Sequence, residues 1–109
     1  MRATVLAVLV GLAIPAAAAA QDAKVAKGAE VYAAQKCAMC HSIGDKGNKK
    51  GPLDGVGSKL SAADVKAWIT DAKGMTAKTK AARKPEMKSY ALPAGELDAI
   101  VAYMMSLKK

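Results

Sequence analysis

Residues 36–42 read Lys36-Cys37-Ala38-Met39-Cys40-His41-Ser42 (KCAMCHS) and hold both cysteines and the single histidine of the 109-residue chain. Three of the side chains best suited to bind a metal or form a covalent link therefore fall within five positions. A Cys-x-x-Cys pair can be a redox dithiol, but that site expects a strand-helix context in an α/β fold. A tetrahedral zinc site wants four ligands, and adjacent Cys40 and His41 suit it poorly. A disulfide between Cys37 and Cys40 would close too small a loop to constrain the unfolded chain much. Which chemistry applies depends on the fold around the stretch.

Upstream, Val25, Gly28, Val31 and Tyr32 recur at spacings of three and four, which predicts a helix from about Asp22 to Gln35. Downstream, Ser61 reads as an N-cap with Asp64 as its acidic partner and Leu60 and Val65 as the flanking staple. Val65, Trp68, Ile69 and Ala72 form the inward stripe of that second helix. Leu97, Ile100, Val101, Met104 and Leu107 mark a C-terminal helix, with Tyr103 beside the stripe and Lys108 and Lys109 at the negative end of its dipole. No alternating run predicts a strand, so the fold class is all-α. The connections are long: Gly44 to Gly57 carries five glycines and a proline, and Met75 to Leu92 reads as a polar, lysine-rich loop broken by Pro85.

The first twenty residues are set apart from the fold. Arg2 precedes an apolar run from Thr4 to Ile14, Pro15 interrupts it, and Ala18-Ala19-Ala20 before Gln21 matches a small-x-small cleavage site, the pattern of a secretory signal peptide. The rival is an uncleaved anchor on the outer face of the inner membrane, since Thr4 to Ala20 approaches the length of a span. Cleavage is the preferred reading, and it leaves one domain, residues 21–109, exported to the periplasm. The formal net charge is +8, and the leader takes away only Arg2. Such a balance suits nucleic acid, an anionic membrane or an acidic protein. Export, and lysines scattered in pairs, argue against nucleic acid. With no Phe and one Trp, so small a domain needs a staple: a disulfide, a metal or a cofactor.

These constraints select among the chemistries of KCAMCHS. The lack of strands removes the dithiol reading, and three candidate ligands fall short of zinc. What remains is Cys-x-x-Cys-His as the attachment signature of a c-type haem. Cys37 and Cys40 would each add to one vinyl group, and His41 would set its imidazole beneath the iron. One covalently bound haem c per chain is therefore expected.

From Gln21 onward the chain resembles the small single-haem class I c-type cytochromes of bacteria. The likeness rests on CAMCH, on Gly28 and Val31-Tyr32 in the first helix, on GPLDGVG at 51–57, on a methionine in a proline-containing loop and on LDAIVAYMMSL at 97–107. CAMCH is the specific element. The resemblance implies a cytochrome c-like fold of three main helices and long loops around the haem, with the terminal helices crossing at Gly28 and Tyr103 packed there. It also implies a sulfur ligand opposite His41. Met39 is confined to the proximal side and Met104 and Met105 are explained as core, which leaves Met75 and Met87. Met87, in RKPEMKSY at 83–90, matches the family's ligand methionine, and Met75 is the runner-up. The Pro52 carbonyl matches the acceptor for the other His41 ring nitrogen. Trp68 and Tyr90 are candidate partners of the haem propionates, although core packing accounts for Trp68 equally well.

A thioether opposite imidazole favours ferrous iron and raises the reduction potential. With both axial positions filled, no site is left for substrate. The expected function is a single-electron carrier in a respiratory or photosynthetic chain, not an enzyme. The alternative is a haem-binding sensor or peroxidase-like protein with an open sixth position, for which a distal histidine is missing. Lys36, Lys46, Lys49, Lys50, Lys78, Lys80, Arg83, Lys84 and Lys88 are expected to ring the haem edge. They would steer a monomer to acidic docking surfaces on a membrane-bound or periplasmic oxidase, reductase or dehydrogenase.

Overall fold

The computed structural model describes Gly11 and residues 15–109, so most of the expected leader lies outside the described residues. In chain order the elements are α1 (Ala16–Ala34), a 3-10 turn (Cys37–Met39), β1 (Ser42–Ile43), β2 (Lys46–Gly47), α2 (Val56–Lys59), α3 (Ala62–Thr70), α4 (Ala72–Thr79) and α5 (Ala94–Ser106). Helices dominate, as an all-α fold requires.

The architecture is organised by the crossing of α1 over α5. Gly28 is buried there, and a Cβ added to it would stand 2.5 Å from Tyr103 Cβ and closer still to the Ala99 carbonyl oxygen. Only a residue without a side chain lets the two backbones come this near. Tyr32 and Tyr103 pack edge to face beside the crossing, with ring centroids 5.8 Å apart. Val31 of α1, Val65 and Ile69 of α3, and Leu97, Ile100 and Met104 of α5 form the buried core.

α3 starts where the capping pattern puts it: Ser61 Oγ accepts from the Asp64 N–H at 3.1 Å. Val65 and Ile69 turn inward, while Ala72, fully buried, belongs to the next helix. Asp71 ends α3 and caps α4 by accepting from the Gly74 N–H at 3.1 Å.

Three features differ from the sequence reading. α1 begins at Ala16 rather than near Asp22, because the alanine run has the highest helix propensity and Pro15 ahead of it marks a natural start. Met75 lies in α4 and is buried, so the expected loop begins only after Thr79; α4 is too short and too polar for its period to register. β1 and β2 form a small antiparallel pair, Ser42 opposite Gly47 and Ile43 opposite Lys46, and two-residue strands carry no readable alternation. Among the described residues, no helix is long and apolar enough to cross a membrane.

Candidate functional site

The attachment stretch is built by a sharp change of direction after α1. Lys36 adopts the left-handed conformation, φ 56° and ψ 39°, and feeds the 3-10 turn Cys37–Met39. The Cys40 and His41 N–H groups both donate to the Cys37 carbonyl, at 3.1 and 2.9 Å. The two cysteines and His41 are thereby held on one tight turn. Cys37 is half-buried, Cys40 is exposed, and no disulfide joins them. Burial pushes the Cys37 thiol up, against the pull of its own backbone hydrogen bond and with a smaller push from Cys40.

His41 Nδ1 donates to the Gly51 carbonyl at 3.0 Å. The expected acceptor, the Pro52 carbonyl, is therefore corrected by one residue. The reason is a parallel bridge between Ser42 and Pro52: the Ser42 N–H donates to the Gly51 carbonyl at 3.1 Å and the Leu53 N–H to the Ser42 carbonyl at 2.8 Å. Carbonyls alternate in direction along an extended chain, so Gly51 faces the attachment turn and Pro52, which is exposed, does not. With Nδ1 held, Nε2 is the ring nitrogen free to ligate. Burial holds the imidazole below its usual pKa; the Gly51 hydrogen bond opposes this and the Arg83 charge adds to it.

Cys37, Cys40 and His41 line a cavity of about 580 Å³, within the range of roughly 300–1,000 Å³ for ligand and cofactor sites. Leu53, Val56 and Leu60 supply one apolar side, α3 adds Val65, Trp68 and Ile69, and α5 adds Ile100 and Met104. Met87 and Tyr90 reach the same cavity from the segment between α4 and α5. Met87 is the only residue from Lys80 to Ser89 that is not exposed. Met75 does not line the cavity. The structure thus brings Cys37, Cys40, His41, Trp68, Met87 and Tyr90 together and leaves Pro52 outside.

Two lining features escaped the sequence reading. The Tyr32 hydroxyl is, among the described residues, the buried side-chain polar atom with no partner, and burial, with lesser pushes from Cys37, Tyr103 and Asp54, raises its pKa to about 12. Its place on the α1 stripe signalled packing, but not that the residue would line a cavity or that its oxygen would lack a partner. Arg83 lines the cavity too, where sequence reasoning counted it only as surface charge. Tyr90 is also raised, mainly by burial, and Lys88 Nζ sits 5.1 Å from its ring centroid.

Among the described residues, no group of three or more His, Cys, Asp and Glu side chains is arranged to hold a metal ion. Cys37, Cys40 and His41 therefore do not converge on one point as zinc ligands would. All three line one largely apolar cavity. That arrangement fits a large planar group linked twice at its rim and ligated once by imidazole. A family model described as Cytochrome c matches residues 25–108. No curated protein and no solved structure matches the chain.

Proposed function

Starting from the fact that the chain belongs to the cytochrome c family, we propose that Cys37 and Cys40 carry one haem c through two thioether bonds, with His41 and Met87 as its axial ligands. Family membership makes the protein a single-electron carrier rather than a catalyst. The observation that supports the residue assignment is the single cavity lined by Cys37, Cys40, His41 and Met87.

Bound haem supplies a one-electron iron couple. His41, with Nδ1 donating to Gly51, offers an Nε2 of fixed orientation and increased basicity. Met87 offers a soft thioether, which favours the ferrous state and raises the potential. The apolar walls around Val65, Ile69 and Ile100 exclude water and favour the less charged oxidation state. Trp68 Nε1 and the Tyr90 hydroxyl are donors suited to the propionates. With His41 and Met87 both holding the iron, the group would exchange electrons and would leave no open position for a substrate.

Proteins of this family act with redox partners, and often outside the cytoplasm. In this reading residues 1–20 direct export to the periplasm, and the exposed Lys36, Lys49, Lys50, Lys84 and Lys88 steer a partner with an acidic face toward the haem edge. The test is the absorption spectrum of the purified protein, oxidised and reduced, with and without carbon monoxide. A reduced spectrum untouched by carbon monoxide supports the closed, two-ligand site. Ready binding would instead favour a sensor or peroxidase-like protein with an open sixth position.

A further inference from the structure

Apart from Arg2, Arg83 is the only arginine in a chain that otherwise uses lysine for positive charge. It stands four residues before Met87, in the segment that joins α4 to α5. From residue 80 to 92, the other hydrogen bonds that tie this segment to a helix run to α3 and α4. The Ala81 N–H donates to the Thr76 carbonyl at 3.2 Å and the Tyr90 N–H to the Ile69 carbonyl at 2.7 Å, while Ser89 Oγ accepts from the Ala72 N–H at 2.9 Å. Lys84 and Glu86 pair only with each other, at 2.8 Å and exposed. Arg83 reaches elsewhere: its Nη1 donates to the Cys40 carbonyl at 2.6 Å, across 43 positions of sequence.

The seat of the guanidinium is open only because residue 51 has no side chain. A Cβ on Gly51 would strike Arg83 Nη1 and the Cys40 oxygen and lie 3.1 Å from Cζ. The same Gly51 accepts from His41 Nδ1. One side chain from the Met87 segment is therefore docked onto the turn that carries both cysteines and the histidine.

We infer that Arg83 is a positioning residue: it latches the Met87 segment to the haem-attachment turn and so keeps the Met87 thioether at the iron. The inference rests on the reading of Met87 as a ligand. Arginine suits the task because its charge is permanent and its planar fork donates to a carbonyl with little loss of freedom. When the latch is removed, the nearest tie before Met87 retreats from Arg83 to Ala81. The extra two residues add about 7 Å of reach, and the remaining hydrogen bonds from residues 80–92 to a helix then run only to α3 and α4. The fraction of molecules with sulfur off the iron rises, and the apparent affinity for a competing ligand rises in proportion. Loss of a hydrogen bond from a charged donor corresponds to a change of roughly 10–150-fold in such an equilibrium, and the exposure of this one brings that down to roughly 5–30-fold. The Arg83 charge beside His41 also favours ferrous iron, so its removal lowers the potential.

The experiment uses the haem-loaded protein and its Arg83→Gln, Arg83→Lys and Met87→Ala variants. Each is titrated with imidazole in the ferric state, followed by the loss of the sulfur-to-iron absorption band where present, and each has its reduction potential measured. Arg83→Gln should gain roughly 5–30-fold in imidazole affinity and show a lower potential. Arg83→Lys, which keeps the charge and one donor, should stay near the parent protein, and Met87→Ala should exceed both in affinity. If Met87→Ala leaves imidazole binding unchanged, Met87 is not the ligand and the latch falls with it. If Met87→Ala opens the iron but Arg83→Gln binds imidazole no better than the parent, the ligand reading stands and the latch is wrong. Lower thermal stability of Arg83→Gln without a gain in imidazole affinity overturns the latch in the same way.

Discussion

Replacing Gly28 with alanine asks two helices to make room for one methyl group at their closest approach. The added Cβ would stand 2.5 Å from Tyr103 Cβ and nearer still to the Ala99 carbonyl oxygen, whereas carbon atoms rest about 3.5–4.0 Å apart. Neither obstacle can rotate aside, since one is backbone and the other is a Cβ. α1 and α5 must therefore separate by about 1 Å or more, and the Tyr32–Tyr103 contact and the core around Val31 and Ile100 loosen with them. Overpacking of this kind costs about 1–3 kcal/mol, and an unyielding obstacle puts Gly28→Ala near the upper end. Alanine recovers about 1 kcal/mol of helix propensity, which leaves a net loss of about 2 kcal/mol. Gly95 is the internal comparison, because it lies in α5 and an added Cβ there meets nothing within 4 Å. Gly95→Ala should show the propensity gain alone. Thermal unfolding of the haem-loaded variants reads the difference, at about 4–8 °C of Tm per kcal/mol for a domain of this size. A Gly28→Ala protein as stable as the parent, or stabilised like Gly95→Ala, would refute the reasoning about the crossing.

Other outcomes follow from the site. Met87→Ala should lower the reduction potential and open the iron to carbon monoxide, while Met75→Ala should leave both unchanged and lose about 2–5 kcal/mol of stability as a core truncation in α4; potentiometry with denaturant unfolding separates the two, and the reverse pattern would transfer the ligand role to Met75. The folded protein holds the Tyr32 phenol at about 12 against its ordinary 10.0, so its contribution to stability is complete below pH 10 and is lost as the pH rises through 12. Tyr32→Phe should accordingly lose less stability than the parent across that window, and parallel curves would contradict the burial of the hydroxyl. Electron transfer to an acidic partner should slow as ionic strength rises, because charges are screened beyond roughly 8 Å in physiological salt. Rates that ignore both salt and charge reversal at Lys49, Lys50, Lys84 and Lys88 would reduce these lysines to ordinary surface.

What the sequence made legible was whatever is decided over a few neighbouring residues. Cys37, Cys40 and His41 are contiguous because the chemistry they serve is local, so five positions carried the functional reading. The Ser61 cap spans three residues and the α5 stripe repeats over three turns, and both could be read directly. The acceptor for His41 could not, because Gly51 and Pro52 differ by one place in the register of a bridge ten residues away. α4 went unread because two turns of AKGMTAKT give too little contrast between faces. The Arg83 contact joins positions 43 apart and depends on Gly51 leaving space, so only its singular place among the lysines hinted at it. Tyr32 was legible as a packing residue but not as the bearer of an unpartnered oxygen, since a stripe position says which face is inward and not where the ring ends.

The central claim is that Cys37 and Cys40 hold a haem covalently, and the mass of the denatured protein tests it most directly. After maturation in a periplasm competent for haem attachment, the intact chain should run heavier than its polypeptide by one haem, and Cys37→Ser together with Cys40→Ser should return it to the polypeptide mass. A parent protein found at the polypeptide mass, with any haem released on denaturation, would contradict the account at its foundation.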